Sequence, residues 1–396
     1  MSRRPNRYTP ITPPRTEGDT RGRAALPPNL PAIAASPDQK ALHGRGAQTN
    51  PSGRYESVFR NPFDDGWTLQ DDPAPRLLTQ AIREAARSVI SYNTSPDLSF
   101  DRTLNPYRGC EHGCIYCYAR PAHAYMGLSP GLDFESQIFI KPEAANLLRK
   151  ELANPRYTPA TLVLGGNTDA YQPLERRYAI TRECLHVLSA CQHPVALVTK
   201  SALVLRDLDI LGPMAAKGLA KVAISLTTLD KTLSRKMEPR AAAPHRRLEV
   251  IRDLNAAGIP VTVMTAPIIP MLNAHEIERL LEAAAEAGAR SAGYVLLRVP
   301  LELEVLMQTW LETHYPDRAR HVFNLLKDMH GGDVYESAFG VRQKGRGPYA
   351  KLIGDRFRLA CARLGLNKGS TKLRTDLFIR PHPDASQDPL PKLWDY

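Results

Sequence analysis

The sequence predicts an α/β protein, a partial parallel barrel of the (β/α)6 type, TIM-like, with an N-terminal extension and a helical C-terminal region. Three observations carry that prediction. From about residue 98 to residue 300, short β-branched or apolar runs alternate with amphipathic helical stretches. Such alternation implies right-handed βαβ units and a parallel sheet covered by helices. The units number six or seven, which suits a full or partial barrel better than a flat sheet. No Gly-x-Gly-x-x-Gly follows the first strand, which argues against a dinucleotide-binding sheet.

The elements follow in order. Residues 1–50 hold eight basic and three acidic residues, eight of the 34 prolines and a single aromatic, Tyr8. A segment of that composition cannot bury enough apolar area to offset its ordering entropy, so it reads as a disordered basic leader. Residues 51–97 form an N-terminal extension. Within it, LLTQAIREAARSVI (77–90) has apolar positions at helical spacing and is predicted to be a helix. The core, 98–300, opens on TLNPY (103–107) as its first strand. IFIK (138–141), followed by a helix that opens on KPEAANLLRKEL, adds a unit. Further strands are TLVLGG (161–166), VALVTK (195–200), KVAISLT (221–227), PVTVMTA (260–266) and AGYVLLR (292–298), separated by amphipathic helices. In the C-terminal region, 301–396, the alternation gives way to helices and a Pro-rich end.

A length of 396 residues fits one large α/β domain with extensions. At 43% hydrophobic and 23% charged, the chain can bury a sizeable core. No apolar run reaches the roughly 18 residues of a membrane span. No apolar segment follows the basic N-terminus, as it would in a secretory signal. A soluble, cytoplasmic protein with no membrane partner is therefore expected. The net charge is +11, of which residues 1–50 supply +5. That excess suits either contact with nucleic acid or a solvated tail.

Of six cysteines, Cys184, Cys191 and Cys361 lie in helical stretches and read as core packing. The other three stand in NPYRGCEHGCIYCYAR as Cys110, Cys114 and Cys117, spaced C-x₃-C-x₂-C on the loop after the first strand. Thiolates at these separations converge if the loop wraps a metal centre, and Gly109 and Gly113 permit the wrap. Two centres compete. A structural zinc wants four protein ligands, with His112 as the available fourth. A four-iron cluster on three thiolates leaves one iron open, as a reactive centre needs.

These residues resemble the radical S-adenosylmethionine superfamily, with the aromatic Tyr116 before the third cysteine. The resemblance implies a [4Fe–4S] cluster on Cys110, Cys114 and Cys117. It also implies S-adenosyl-L-methionine chelated to the open iron and cleaved by one electron to a 5′-deoxyadenosyl radical. An external flavodoxin- or ferredoxin-like donor would supply that electron. For the cofactor cradle the resemblance points to Gly165 and Gly166 at the end of the second strand, with Asn167, Thr168 and Asp169 after them. Thr199, Lys200 and Ser201 at the end of the third strand and Ser225 on the fourth complete the set. The fifth unit, MTAPIIP, corresponds to the segment beside the adenine.

NTDAYQPLE, VTKS, ISLTTLD, KMEPRAAAPHRRLEVI and APIIPMLN are similar to the branch related to spore photoproduct lyase, the DNA-repair-photolyase-like proteins. The leader and the RGCEHGCIYCYARPAHAYMG segment are most like an uncharacterised bacterial subgroup of it. The branch implies lyase-like chemistry in DNA repair. In the lyase proper, a cysteine near the end of the second strand returns hydrogen to the product. Gly165, Gly166 and Asn167 stand there instead, which makes Tyr171 the candidate donor. Arg342, Lys344, Arg346 and Tyr349 interleave charge with an aromatic, suited to phosphate and base contacts, or form a solvated loop. Nucleic acid is thus the candidate substrate. The alternative reading is a non-catalytic nucleic-acid-binding protein with a structural metal site.

Overall fold

The structure is a computed structural model that describes residues 44–56, 77–369 and 372–382. Its strands are β1 (Gln80–Arg83), β2 (Ile90–Tyr92), β3 (Arg102–Leu104), β4 (Tyr107–Arg108) and β5 (Gln137–Ile140) in the first part of the chain. There follow β6 (Leu162–Leu164), β7 (Val195–Thr199), β8 (Ala220–Ser225), β9 (Val261–Ile268) and β10 (Ser291–Leu296). The main sheet has the order β10-β9-β8-β7-β6-β3-β2. From β3 to β10 every neighbouring pair is parallel, while β2 is antiparallel on the edge of β3.

Each parallel strand therefore lies next to its predecessor, and each crossover places its helix on the same face. The result is the six-unit partial barrel, with β10 and β2 as its edges and no closure between them. Burial along β9 alternates strictly from Val261 to Ala266. Val261, Val263 and Thr265 are buried, whereas Thr262, Met264 and Ala266 on the other face are half-buried. On β6 the alternation is lost, and Leu162, Val163 and Leu164 are all buried. The C-terminal region is helical as expected, with helices Leu303–His314, Pro316–Met329 and Gly347–Leu364. Cys184, Cys191 and Cys361 are buried core residues. No helix among the described residues is long and apolar enough to cross a membrane.

Three expectations need correction. The stretch 77–90 is not a helix: it holds β1, irregular backbone and the first residue of β2. β1 pairs in parallel with β5, in register Gln80 to Gln137, while the Glu151 carboxylate accepts from the Val89 N–H at 2.6 Å. Pairing with distant strands overrides the helical spacing of a segment in which only Val89 and Ile90 are buried. The IFIK strand, β5, does not join the barrel; it sits between β1 and β4 in a separate three-stranded sheet. The leader does not extend to residue 50, because Arg45, Gly46 and Ala47 are buried against the core. Residues 1–43 lie outside the described residues.

Leu164 is fully buried in β6, between β3 and β7. Leu164→Ala should remove about 2–5 kcal/mol of stability, read as a lower urea midpoint with an unchanged slope.

Candidate metal centre and its surroundings

The three-cysteine loop leaves the first barrel strand by way of β4 and is held from below by one ion pair. Arg120 and Glu135 are both fully buried and bonded to each other. All five guanidinium N–H groups are used. Nε donates to the Cys114 carbonyl at 2.9 Å, and Nη2 to the Gly113 carbonyl at 3.1 Å and to Glu135. Nη1 donates to the carbonyls of Pro130 and Gly131. The Glu135 carboxylate also accepts from the Gly46 N–H at 3.0 Å and the Ala47 N–H at 2.8 Å. A short N-terminal strap thus closes the underside of the loop. At Gly113 (φ +65) an added Cβ would stand 2.6 Å from Glu135 Oε2, so only glycine fits.

A second buried pair, Glu238 and Arg247, holds the loop from the side. The Glu238 carboxylate accepts from the Tyr116 hydroxyl and from Thr227 Oγ1, while Arg247 reaches the Ser225 carbonyl at 3.0 Å. Burial alone would raise the Glu238 carboxyl; the charges of Arg247 and Lys200 outweigh it and hold the group at about 2. The Ile115 N–H donates to the Met237 carbonyl at 3.0 Å, and Arg240 pairs with Glu111 at 3.2 Å. Residues 237–247 therefore clasp the loop.

The third contact runs through Asp169. Its carboxylate accepts from Thr199 Oγ1 at 2.7 Å, the Lys200 N–H at 2.8 Å and the Tyr171 N–H at 2.9 Å, and lies 3.2 Å from His112 Nδ1. Burial would push this carboxyl up, but His112 and the hydrogen bonds hold it well below the usual carboxylate range. His112 faces Asp169 rather than serving as a fourth ligand beside the thiols.

Cys110 and Cys114 are buried and Cys117 is half-buried; all six cysteines are free thiols. Burial pushes the Cys110 thiol well above its ordinary value, with Asp169, Cys114 and Cys117 adding to the effect. Burial likewise pushes Cys114 up to about 12, against the pull of Lys200. Among the described residues, no group of three or more His, Cys, Asp or Glu is gathered closely enough to hold one metal ion. A four-iron cluster takes each thiolate on a different iron, so its ligands need not meet at one point.

The predicted cradle residues divide in two. Thr199 and Ser201 are occupied locally: Thr199 Oγ1 bonds Asp169 and accepts from Ser201 N–H, and Ser201 Oγ caps the short helix Ala202–Asp207. Thr168 donates its hydroxyl to the Tyr107 carbonyl at 2.8 Å. Gly165, Gly166 and Lys200 are half-buried, Asn167 is exposed, and Ser225 lies at the end of β8. The Lys200 ammonium stands 5.7 Å from the Tyr116 ring centroid. A cleft of about 200 Å³ borders the loop, with Gly109, Ala119, His123, Asn167 and Thr168 in its wall. A larger cleft of about 780 Å³ lies at Asp101, Thr161 and Lys221, the N-terminal ends of the strands. That is the face where barrels carry stability rather than chemistry.

Two other expectations change. Tyr171 is fully buried and donates to Asp207 Oδ2 at 3.0 Å, so its phenol has no open side. The exposed tyrosine of the loop is Tyr118, next to Cys117, bonded to the Gly166 carbonyl. In the basic loop, Arg342 pairs with Asp97 at 2.6 Å and Lys344 donates to the Tyr294 carbonyl at 2.7 Å. Burial lowers the Lys344 ammonium to about 8. Arg346 pairs with Glu336 but leaves about half of its side chain in solvent. Arg120, Glu135, Glu238 and Arg247 carry no local sequence signal: Glu135 stands in DFESQ and Arg247 in PHRRLE, among polar residues, so their burial is legible only in the fold.

A family model described as the radical SAM superfamily matches residues 104–284. An uncharacterised protein of Mycobacterium tuberculosis is 37% identical over 267 residues, 67% of this chain and 75% of that protein. An uncharacterised protein of Methanocaldococcus jannaschii is 23% identical over 245 residues, 62% of this chain and 87% of its own. Among solved structures, spore photoproduct lyase complexed with dinucleoside spore photoproduct aligns with a TM-score of 0.54 at 16% identity. That alignment covers 72% of this chain and 80% of the lyase chain. The likeness is one of fold.

Gly46→Ala would drive a Cβ into the Gly113 carbonyl and lift the strap. Two hydrogen bonds to the buried Glu135 carboxylate would go with it, a loss of about 1.5–3 kcal/mol each. The expected outcome is a lower urea midpoint together with weaker iron retention. A chain starting at residue 51 should show the same defect, and one starting at residue 44 should not.

Proposed function

The chain belongs to the radical S-adenosylmethionine superfamily, and from that premise we propose that it is an iron–sulfur enzyme acting on nucleic acid. Membership implies S-adenosylmethionine and a four-iron cluster. The observation that carries the reading is the loop itself, three thiols in eight residues at the mouth of a parallel barrel, braced by two buried ion pairs. Cys110, Cys114 and Cys117 would hold three irons. When bound, cluster and S-adenosylmethionine supply one-electron cleavage and hydrogen-atom abstraction.

The chain's own residues position and insulate that chemistry. The Gly165–Gly166 backbone and Asn167 offer polar groups at the end of β6, and the Lys200 ammonium and Ser225 hydroxyl do so at β7 and β8. These four places are the proposed contacts for the amino-acid end and ribose of S-adenosylmethionine. Asp169 and Thr199 position Lys200 and His112 rather than touching the cofactor. Glu238, paired with Arg247, holds the buried Tyr116 side chain, which excludes water from the loop's inner side. An external flavodoxin- or ferredoxin-like protein would deliver the electron. The nucleic-acid assignment draws on the likeness to spore photoproduct lyase and on the overall +11 charge. The absence of a cysteine at 165–167 and the burial of Tyr171 separate this site from a direct copy of the lyase's hydrogen return.

Anaerobic reconstitution should give four irons with sulfide, and dithionite plus S-adenosylmethionine should then yield 5′-deoxyadenosine. Cys114→Ala should abolish both. One zinc without sulfide would instead identify a structural metal site and end the enzymatic reading.

Thiols raised by burial are protonated at neutral pH, so binding iron must displace their protons. Loading should therefore be more complete at pH 9 than at pH 7, measured as iron bound at fixed free iron. Lys200→Met should weaken S-adenosylmethionine binding about tenfold or more, as expected for a lost charged hydrogen bond. Unchanged affinity by calorimetry would remove Lys200 from the cradle.

A further inference from the structure

Arg298 stands just beyond the C-terminal end of β10, the last strand of the barrel. Barrel enzymes place their working groups at that end of the strands. Its guanidinium carbon lies 5.0 Å from the ring centroid of Tyr118 and 5.9 Å from that of Tyr335. Tyr118 adjoins Cys117 and is bonded to the Gly166 carbonyl at the end of β6. The pair thus reaches from the β10 side of the mouth to the β6 side, directly over the cysteine loop.

The guanidinium is poorly satisfied. Its Nε is buried with no hydrogen-bond partner among the described residues, and the guanidinium's one hydrogen bond to them is a long 3.4 Å bond from Nη2 to the Tyr335 hydroxyl. Asp97, which feels its charge, is already committed to Arg342 and to the Gly340 N–H. A buried cationic donor without a partner is costly unless a ligand supplies one. Farther along the same rim, Arg342 stacks at 4.6 Å on the exposed Phe339 ring.

We propose that Arg298 is the anchor for one phosphodiester of a single-stranded or flipped nucleic-acid substrate, with Tyr118 and Tyr335 flanking it as stacking faces. The proposal rests on the nucleic-acid reading above and adds the group that recognises the strand. A guanidinium fork matches the paired oxygens of a phosphodiester. Alternating cation and aromatic is the pattern by which proteins hold single strands. An ammonium or carboxamide in its place would lack the fork.

The test uses the full chain, reconstituted anaerobically, with fluorescent oligothymidylate as probe and anisotropy across a salt series. Arg298→Gln should weaken binding about tenfold or more. It should also reduce the slope of log affinity against log salt by about 0.7, one phosphate contact on a single strand. Arg298→Lys should restore the slope and only part of the affinity. Tyr335→Ala, which removes no charge, should weaken binding about fivefold or more with the slope unchanged. Iron content and S-adenosylmethionine affinity are measured on every variant. Three results would overturn the proposal: wild-type protein that does not bind the probe, Arg298→Gln that binds it normally, or Arg298→Gln that loses S-adenosylmethionine affinity instead. Failure of the superfamily chemistry would appear separately, as missing sulfide or missing 5′-deoxyadenosine in the wild-type protein.

Discussion

The buried pair between Arg120 and Glu135 is the constraint on which the rest of the site depends. A guanidinium and a carboxylate taken out of water are tolerated only if every donor and acceptor finds a partner. Here the partners are the carbonyls of Gly113, Cys114, Pro130 and Gly131 and the N–H groups of Gly46 and Ala47. Satisfying the pair therefore fixes the path of the cysteine loop, of the segment that follows it and of the strap beneath it. Desolvation offsets much of such a pair's attraction, so its clear effect here is on the path of the chain around it.

Glu238 and Arg247 repeat the device on the other side, with the difference that this pair reaches toward the barrel strands. Through Ser225, Thr227 and Tyr116 it couples the end of β8 to the cysteine loop. Asp169 does the same for the ends of β6 and β7 through Thr199, Lys200 and His112. Strand ends and cysteine loop are thus one hydrogen-bonded body. Disturbing a strand end is expected to reach the three cysteines, although the two are far apart in sequence.

The open side of the site has a different character. Tyr118 is substantially exposed, Arg298 is only partly covered, and Phe339 faces solvent. The cysteine loop is thus held by satisfied polar networks below and bordered above by an incompletely satisfied cationic and aromatic rim.

The sequence by itself determined the six parallel strands, the helical C-terminal region and the three-cysteine loop. These are local signals: β-branched runs alternating with amphipathic ones, and thiols within eight residues of each other. It also placed Gly165, Gly166, Asn167, Lys200 and Ser225 at strand ends, because a strand's end is legible where its apolar run stops. Only the tertiary structure decided the rest. Residues 77–90 have helical spacing, yet they hold β1 and the start of β2 because β5 and β3 offer edges that pair with them. Residues 45–47 look like part of a solvated leader, yet they are buried because Glu135, nearly ninety residues away, needs their N–H groups. Tyr171 looked available and is enclosed by Asp207, while Thr199 and Asp169 satisfy each other. In each case the deciding partner is distant in the chain. Hydrogen bonds and charges are satisfied in space, and periodicity along the sequence carries no record of which distant group will satisfy them.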